Sequence, residues 1–141
     1  MMISDICKKQ VLTYLTHDSV KHAAQIMKNK NIGTLVVVNE AQHPVGIITD
    51  RDITLKAVAE GIDGENTKVS ELMSRNLLVL DNSQTLQQAI DKMEEKGVRR
   101  APIVDAQQKI CGLAALDDLL IMLSQCLSRL AELIETQIKH E

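Results

Sequence analysis

Aromatic side chains are almost missing from this sequence: one tyrosine, no phenylalanine and no tryptophan in 141 residues. A surface that grips single-stranded nucleic acid by stacking bases on aromatic rings is thereby excluded. The core must be aliphatic, with methionine as filler. Positive charge is not in excess either. Lys and Arg number 16 against 19 Asp and Glu, and a formal net charge of −3 offers no general attraction for a phosphate backbone. A phosphate ligand has to be small and locally held. Long apolar runs are also absent. Stretches such as 35–38 and 119–123 fall far short of the roughly 20 residues that cross a bilayer. The three cysteines, at 7, 111 and 126, are odd in number and lack metal-ligand spacing. With no recognisable signal peptide, they suit a reduced compartment. The expectation is one cytoplasmic, soluble domain without membrane or nucleic-acid partners.

Catalytic signatures are missing as well. There is no Gly-x-Ser-x-Gly elbow, no Gly-x-x-x-x-Gly-Lys loop and no His-Glu-x-x-His pair. His17 and His22 are five apart, wrong for two ligands on one helix face, while His43 and His140 stand alone. Asp50 and Asp52 have the spacing for a shared Mg²⁺ ion, but no base or lysine motif accompanies them. We expect no enzyme and no metal site.

What the chain does contain is a repeat. Sliding it along itself by 66 residues aligns 3–53 with 69–119 without a gap, and the apolar positions coincide almost throughout. Each copy has the same grammar. Polar turns at 16–19 and 81–85 hold Asp and Ser as helix-cap candidates. Apolar residues then recur with helical spacing at Val20, Ala23, Ala24 and Met27, and at Leu86, Ala89, Ile90 and Met93. Strand runs at 35–38 and 103–104 are each joined by a short turn to a second strand, at 45–48 or 110–114. Second helices start near Asp50 and Leu116. The reading is an α+β protein of two pseudo-twofold-related β-α-β-β-α repeats, 1–60 and 69–123, packed as one module. Residues 61–68 form the linker, broken by Gly61 and Gly64, and 124–141 a helical extension. Cys7 and Cys111 align with Met73 and Val45 and are expected in the core.

In the first copy, Gly46-Ile47-Ile48-Thr49-Asp50-Arg51-Asp52 carries the densest chemistry. Thr49-x-x-Asp52 has the form of a capping box, and acidic residues suit a helix start. The second copy has Gly112, Leu113 and Asp118 in the same register but Ala115 in place of the hydroxyl. A glycine preceding an apolar strand in both copies points to close approach of backbone or ligand.

Gly-hydrophobic-x-Thr-x-x-Asp, within a strand–helix–strand–strand–helix unit that occurs twice, resembles the cystathionine-β-synthase (CBS) domain family in its tandem form, the Bateman module. The segments at 3–6, 69–74 and 98–102 are also similar to that family, and the likeness covers about residues 3–123. The resemblance implies a regulatory cleft for an adenosine ligand: AMP, ADP, ATP, S-adenosylmethionine or NAD. It assigns Asp52 and Asp118 to the ribose diol, since a carboxylate accepts from both hydroxyls. It assigns Thr49 to phosphate, Ile47 and Leu113 to the adenine faces beside Gly46 and Gly112, and Arg99 and Arg100, before the Pro102 strand, to phosphate contact. The counterparts of Arg99 and Arg100 are the neutral Gly33 and Thr34. The two arginines are therefore expected to complete the Thr49/Asp52 site, with Arg51 a further candidate. The family further implies an energy-sensing role, a homodimer and a regulated partner protein.

The extension carries Leu or Ile at 116, 120, 123, 127, 130, 134 and 138, mostly alternating spacings of four and three. That stripe either lies along its own domain or forms an inter-subunit contact. The second possibility also allows a ligand-independent dimeric scaffold using the C-terminal helix.

Overall fold

The computed structural model describes residues 1–5 and 13–140. Two three-stranded sheets form the two halves, each an antiparallel hairpin extended by one parallel strand. The first contains β1 (Thr13–Leu15), β2 (Thr34–Val38) and β3 (Pro44–Thr49); the second contains β4 (Leu80–Asp81), β5 (Arg100–Val104) and β6 (Ile110–Ala115). The repeat survives at the level of single Cα pairs. Thr34 faces Thr49 and Arg100 faces Ala115, and the irregularity at Val37/Val38 recurs at Ile103/Val104.

The helices form where the sequence pattern put them. Helix α1 (Val20–Lys30) turns Val20, Ala23 and Met27 inward, and α4 (Leu86–Lys96) buries Ala89 and Met93. Ser19 caps α1, its hydroxyl accepting from the His22 N–H. The cap of α4 is Thr85 rather than an Asp or Ser. Its hydroxyl immediately precedes the first helical residue, Gln88 closes the box, and the Asp81 carboxylate is engaged with Ser83. Both helices end on a left-handed residue, Asn31 (φ 53°) and Gly97 (φ 71°). The second helix of the first repeat, α2 (Asp50–Asp52), widens into a π-helical turn at Ile53–Val58. Its counterpart α5 runs as α-helix from Leu116 to His140.

Each half has an aliphatic core. Leu35, Val37 and Ile48 meet Ala23 and Met27 in the first; Ala101, Ile103 and Ala114 meet Ala89 and Met93 in the second. The segments that open the two copies are exchanged. Ile3, in a 3₁₀ turn (Ile3–Asp5), is fully buried in the second core. Val69 and Leu72 of α3 (Val69–Leu72), with Met73, are buried in the first. Backbone bonds lock both crossings: the Ile3 N–H donates to the Gln84 carbonyl at 3.0 Å, and the Val69 N–H to the Asp18 carbonyl at 2.8 Å. The 61–68 segment is held against α1 rather than hanging free. The Lys21 N–H donates to the Gly64 carbonyl, and the Lys21 ammonium pairs with Glu65. Cys7 lies outside the described residues.

No side chain between Leu123 and His140 is buried, so the extension does not lie along its own domain. No helix among the described residues is long and apolar enough to cross a membrane.

Candidate ligand-binding site

Two equivalent junctions, where the last strand of each sheet turns into a helix, bring the sequence motifs into place. In the first repeat the turn is closed by the Asp50 N–H donating to the Gly33 carbonyl at 3.0 Å. In the second, Leu116 N–H donates to the Arg99 carbonyl at 2.8 Å. Each junction therefore ties a helix start to the entry of the middle strand.

At the first junction the capping box is fully formed. The Thr49 hydroxyl accepts from the Asp52 N–H at 3.1 Å, and Asp52 Oδ2 accepts from the Thr49 N–H at 2.9 Å. Lys56 Nζ stands 3.3 Å from the other carboxylate oxygen and also donates to the Leu72 carbonyl. Both oxygens of Asp52 thus have partners within the chain. Gly46 owes its lack of a side chain to the exchanged segment: a Cβ there would meet Met73 Sδ at 2.5 Å and the Ser74 carbonyl oxygen at 3.0 Å. Ile47 and Ser74 exchange two backbone bonds across the same contact. The close approach inferred for this glycine is made by the Met73 side chain and the Ser74 backbone.

The second junction opens onto a cavity of about 210 Å³ between the two repeats. Ile32, Gly33 and Thr34, leading into β2, form one wall. Arg99, Arg100, Leu113, Ala115, Asp117 and Asp118 form the rest. Arg99 Nη2 lies 3.5 Å from Asp117 Oδ1, a solvent-exposed pair worth little in stability. Among the described residues, Arg100 and Asp118 have neither an ion pair nor a hydrogen-bonded side-chain partner, leaving one cation and one anion for a ligand. With two guanidiniums and two carboxylates, the lining is formally neutral. Leu113, Ala115 and Ile32 supply an apolar surface.

The cavity gathers Arg99, Arg100, Leu113 and Asp118, but not Thr49, Asp52, Ile47 or Gly46. The arginines accordingly sit with the second repeat's aspartate, not with the Thr49/Asp52 pair that they were expected to complete. The reason is topological: Arg99 and Arg100 enter β5, the strand paired with β6, so their nearest helix start is that of α5. Pro102 is buried within β5, and Gly112 within β6. Arg51 is exposed on α2. Sequence reasoning missed Ile32, Gly33, Thr34 and Asp117 as lining residues. The signal was available, because Gly33 and Thr34 are the 66-residue counterparts of Arg99 and Arg100, and a pseudo-twofold axis brings such counterparts together.

Two copies of one unit meeting at a cavity with charges of both signs define a paired-repeat binding module. The chain belongs to the CBS domain family, whose model matches residues 3–58 and again 69–125. It is 36% identical over 139 residues to the CBS domain-containing protein YhcV of Bacillus subtilis, covering 99% of this chain and 96% of that one. To the uncharacterized protein MK0525 of Methanopyrus kandleri it is 30% identical, and it spans 60% of that protein's length and 84% of its own. Among solved structures it resembles the CBS domain pair of protein MJ0100 in complex with 5'-methylthioadenosine and S-adenosyl-L-methionine. The TM-score is 0.74 at 27% identity, over 89% of this chain and 97% of that one.

Proposed function

We propose that this chain is a regulatory module without catalytic activity that senses an adenosine-containing ligand in the cavity between its repeats. The observation that carries the reading is the pair Arg100 and Asp118, both unengaged, lining one cavity together with the apolar Ile32, Leu113 and Ala115. The Asp118 carboxylate accepts from the ribose diol, Leu113 and Ile32 enclose the adenine, and Arg100 takes an anionic group. The likeness to a CBS pair complexed with S-adenosylmethionine and methylthioadenosine supports this class of ligand. AMP, ADP, ATP and NAD belong to the same class. The formally neutral lining favours ligands of low charge, such as S-adenosylmethionine or AMP, over a triphosphate. The Thr49/Asp52 junction is the second candidate position.

Binding biases the arrangement of the two repeats only insofar as the ligand prefers one arrangement. A homodimer presenting that change to a partner protein in the cytoplasm would complete an energy-sensing role. Calorimetry against a panel of adenosine compounds tests the reading. Asp118→Ala, which removes bonds worth about 1.5–3 kcal/mol each, should weaken binding roughly 100-fold. Asp52→Ala measures the second position. Absence of heat with every adenosine compound would sink the proposal. The exposed stripe on α5 favours a second reading, a ligand-independent scaffold, in which Asp118→Ala changes nothing and altering the tail abolishes assembly.

A further inference from the structure

Beyond its first turn, α5 divides into an apolar and a charged face, and there none of its apolar face is buried against its own chain. In heptad terms Leu120, Leu127 and Ile134 occupy a, and Leu116, Leu123 and Leu130 occupy d. The flanking g positions hold Cys126 and Leu133; the e positions hold Ser124, Ala131 and Ile138. Charged Arg129, Glu132, Glu135 and Lys139 all fall on the remaining face. In a two-stranded coiled coil, e and g carry the charges that select the partner. Here they extend the apolar surface instead.

The width of that surface counts the helices. Positions a and d lie about 50° apart, and the arc from g through d and a to e spans about 155°. One partner helix covers roughly the a–d seam. Two partners at right angles, as in a square of four, widen the contact by about 90°, whereas a threefold arrangement adds only about 60°. Area agrees. Each aliphatic side chain carries on the order of 100 Å² of apolar surface. Leu120, Leu127, Leu130 and Ile134 are 57%, 67%, 56% and 58% exposed, and Leu123 38%. A single seam therefore buries on the order of 300 Å² per chain. Leu133 and Ile138, 55% and 66% exposed, lie outside that seam, and a second neighbouring helix is what covers them.

We propose that the α5 tails of four copies of this chain pack as a four-helix bundle, making the protein a tetramer. The homodimer considered above is then half of a dihedral assembly. Apart from Asp117 at the first e position, no charged side chain among the described residues flanks the stripe, so identical helices meet with little repulsion beyond that first turn.

Sedimentation velocity and native mass spectrometry of the purified full chain, at micromolar to tens-of-micromolar concentration, test this. The wild type should have four times the chain mass. Leu127→Glu, in the seam, and Leu133→Glu, on the flank, should both reduce it to a dimer or smaller, with circular dichroism unchanged. Leu133 is 55% exposed in the single chain, so the substitution leaves both cores alone; Leu133→Gln serves where the glutamate variant loses helix. A wild type that is monomeric, dimeric or trimeric overturns the proposal. So does a Leu133→Glu or Leu133→Gln protein that stays tetrameric while Leu127→Glu dissociates, the signature of a seam without flanks. Tetramers surviving both changes place assembly elsewhere and overturn it equally.

Discussion

Ala115→Thr restores the side chain that distinguishes the two junctions, and the first junction supplies the magnitude. There, Thr49 and Asp52 trade two bonds, at 3.1 and 2.9 Å. The backbone frame around Ala115 is the same: Arg100 pairs with Ala115 as Thr34 pairs with Thr49, and the Leu116 N–H is tied to Arg99 as Asp50 is to Gly33. A threonine hydroxyl at 115 should accept from the Asp118 N–H and contribute about 1 kcal/mol as a helix cap. In a chain of 141 residues that raises the unfolding temperature by about 3 °C. The hydroxyl also faces the cavity, where it can donate to a phosphate oxygen. Binding of AMP relative to adenosine should then improve roughly tenfold. Thermal unfolding of the ligand-free protein, followed by calorimetry with the two compounds, separates the terms. An unchanged unfolding temperature would mean that the β6–α5 turn cannot form the box and that the junctions differ in more than one side chain. Increased stability with an unchanged AMP-to-adenosine ratio would refute the phosphate role alone.

Gly46→Ala should destabilise the protein by about 1–3 kcal/mol, read as a lower urea midpoint, because the new methyl meets Met73 and the Ser74 carbonyl. Tyr14 lies buried in the first core with its hydroxyl donating to the Ser19 carbonyl at 2.9 Å; desolvation, reinforced by the Asp18 charge, pushes its pKa up to about 12. Because the folded state keeps this proton after the unfolded chain has lost it, stability should fall as pH rises from about 10 toward 12. This is the chain's single tyrosine, so tyrosinate absorbance reports it directly; a titration midpoint near 10 in the native protein would contradict the burial.

Most of the architecture was legible because it is written locally. A helix face such as Ala89–Met93 or a hairpin such as β5–β6 follows from spacing within a dozen residues, and the 66-residue repeat then doubles each inference. What escaped depends on contacts between distant segments. Nothing in the periodicity around Val69 says that it belongs in the first core, since an apolar residue reads the same whichever core takes it. The grouping of the arginines escaped for the same reason: Arg99 and Arg100 line one cavity with Asp118 because β5 pairs with β6. The capping of α4 by Thr85 and the π-helical turn at Ile53–Val58 were matters of one residue in register. The Thr49–Asp52 box was read correctly from four positions alone.

The exchange of opening segments makes the two halves interdependent in time as well as in space. During synthesis the first core cannot close until Met73 has left the ribosome, because Val69, Leu72 and Met73 complete it. The second core needs Ile3, made before either repeat's sheet, to remain unclaimed until Leu119 arrives. Splitting the chain between repeats would leave each half with the other's plug. A gene encoding one repeat would therefore yield a half-built core unless two copies exchanged plugs between them, which is how a single-repeat ancestor would have had to work.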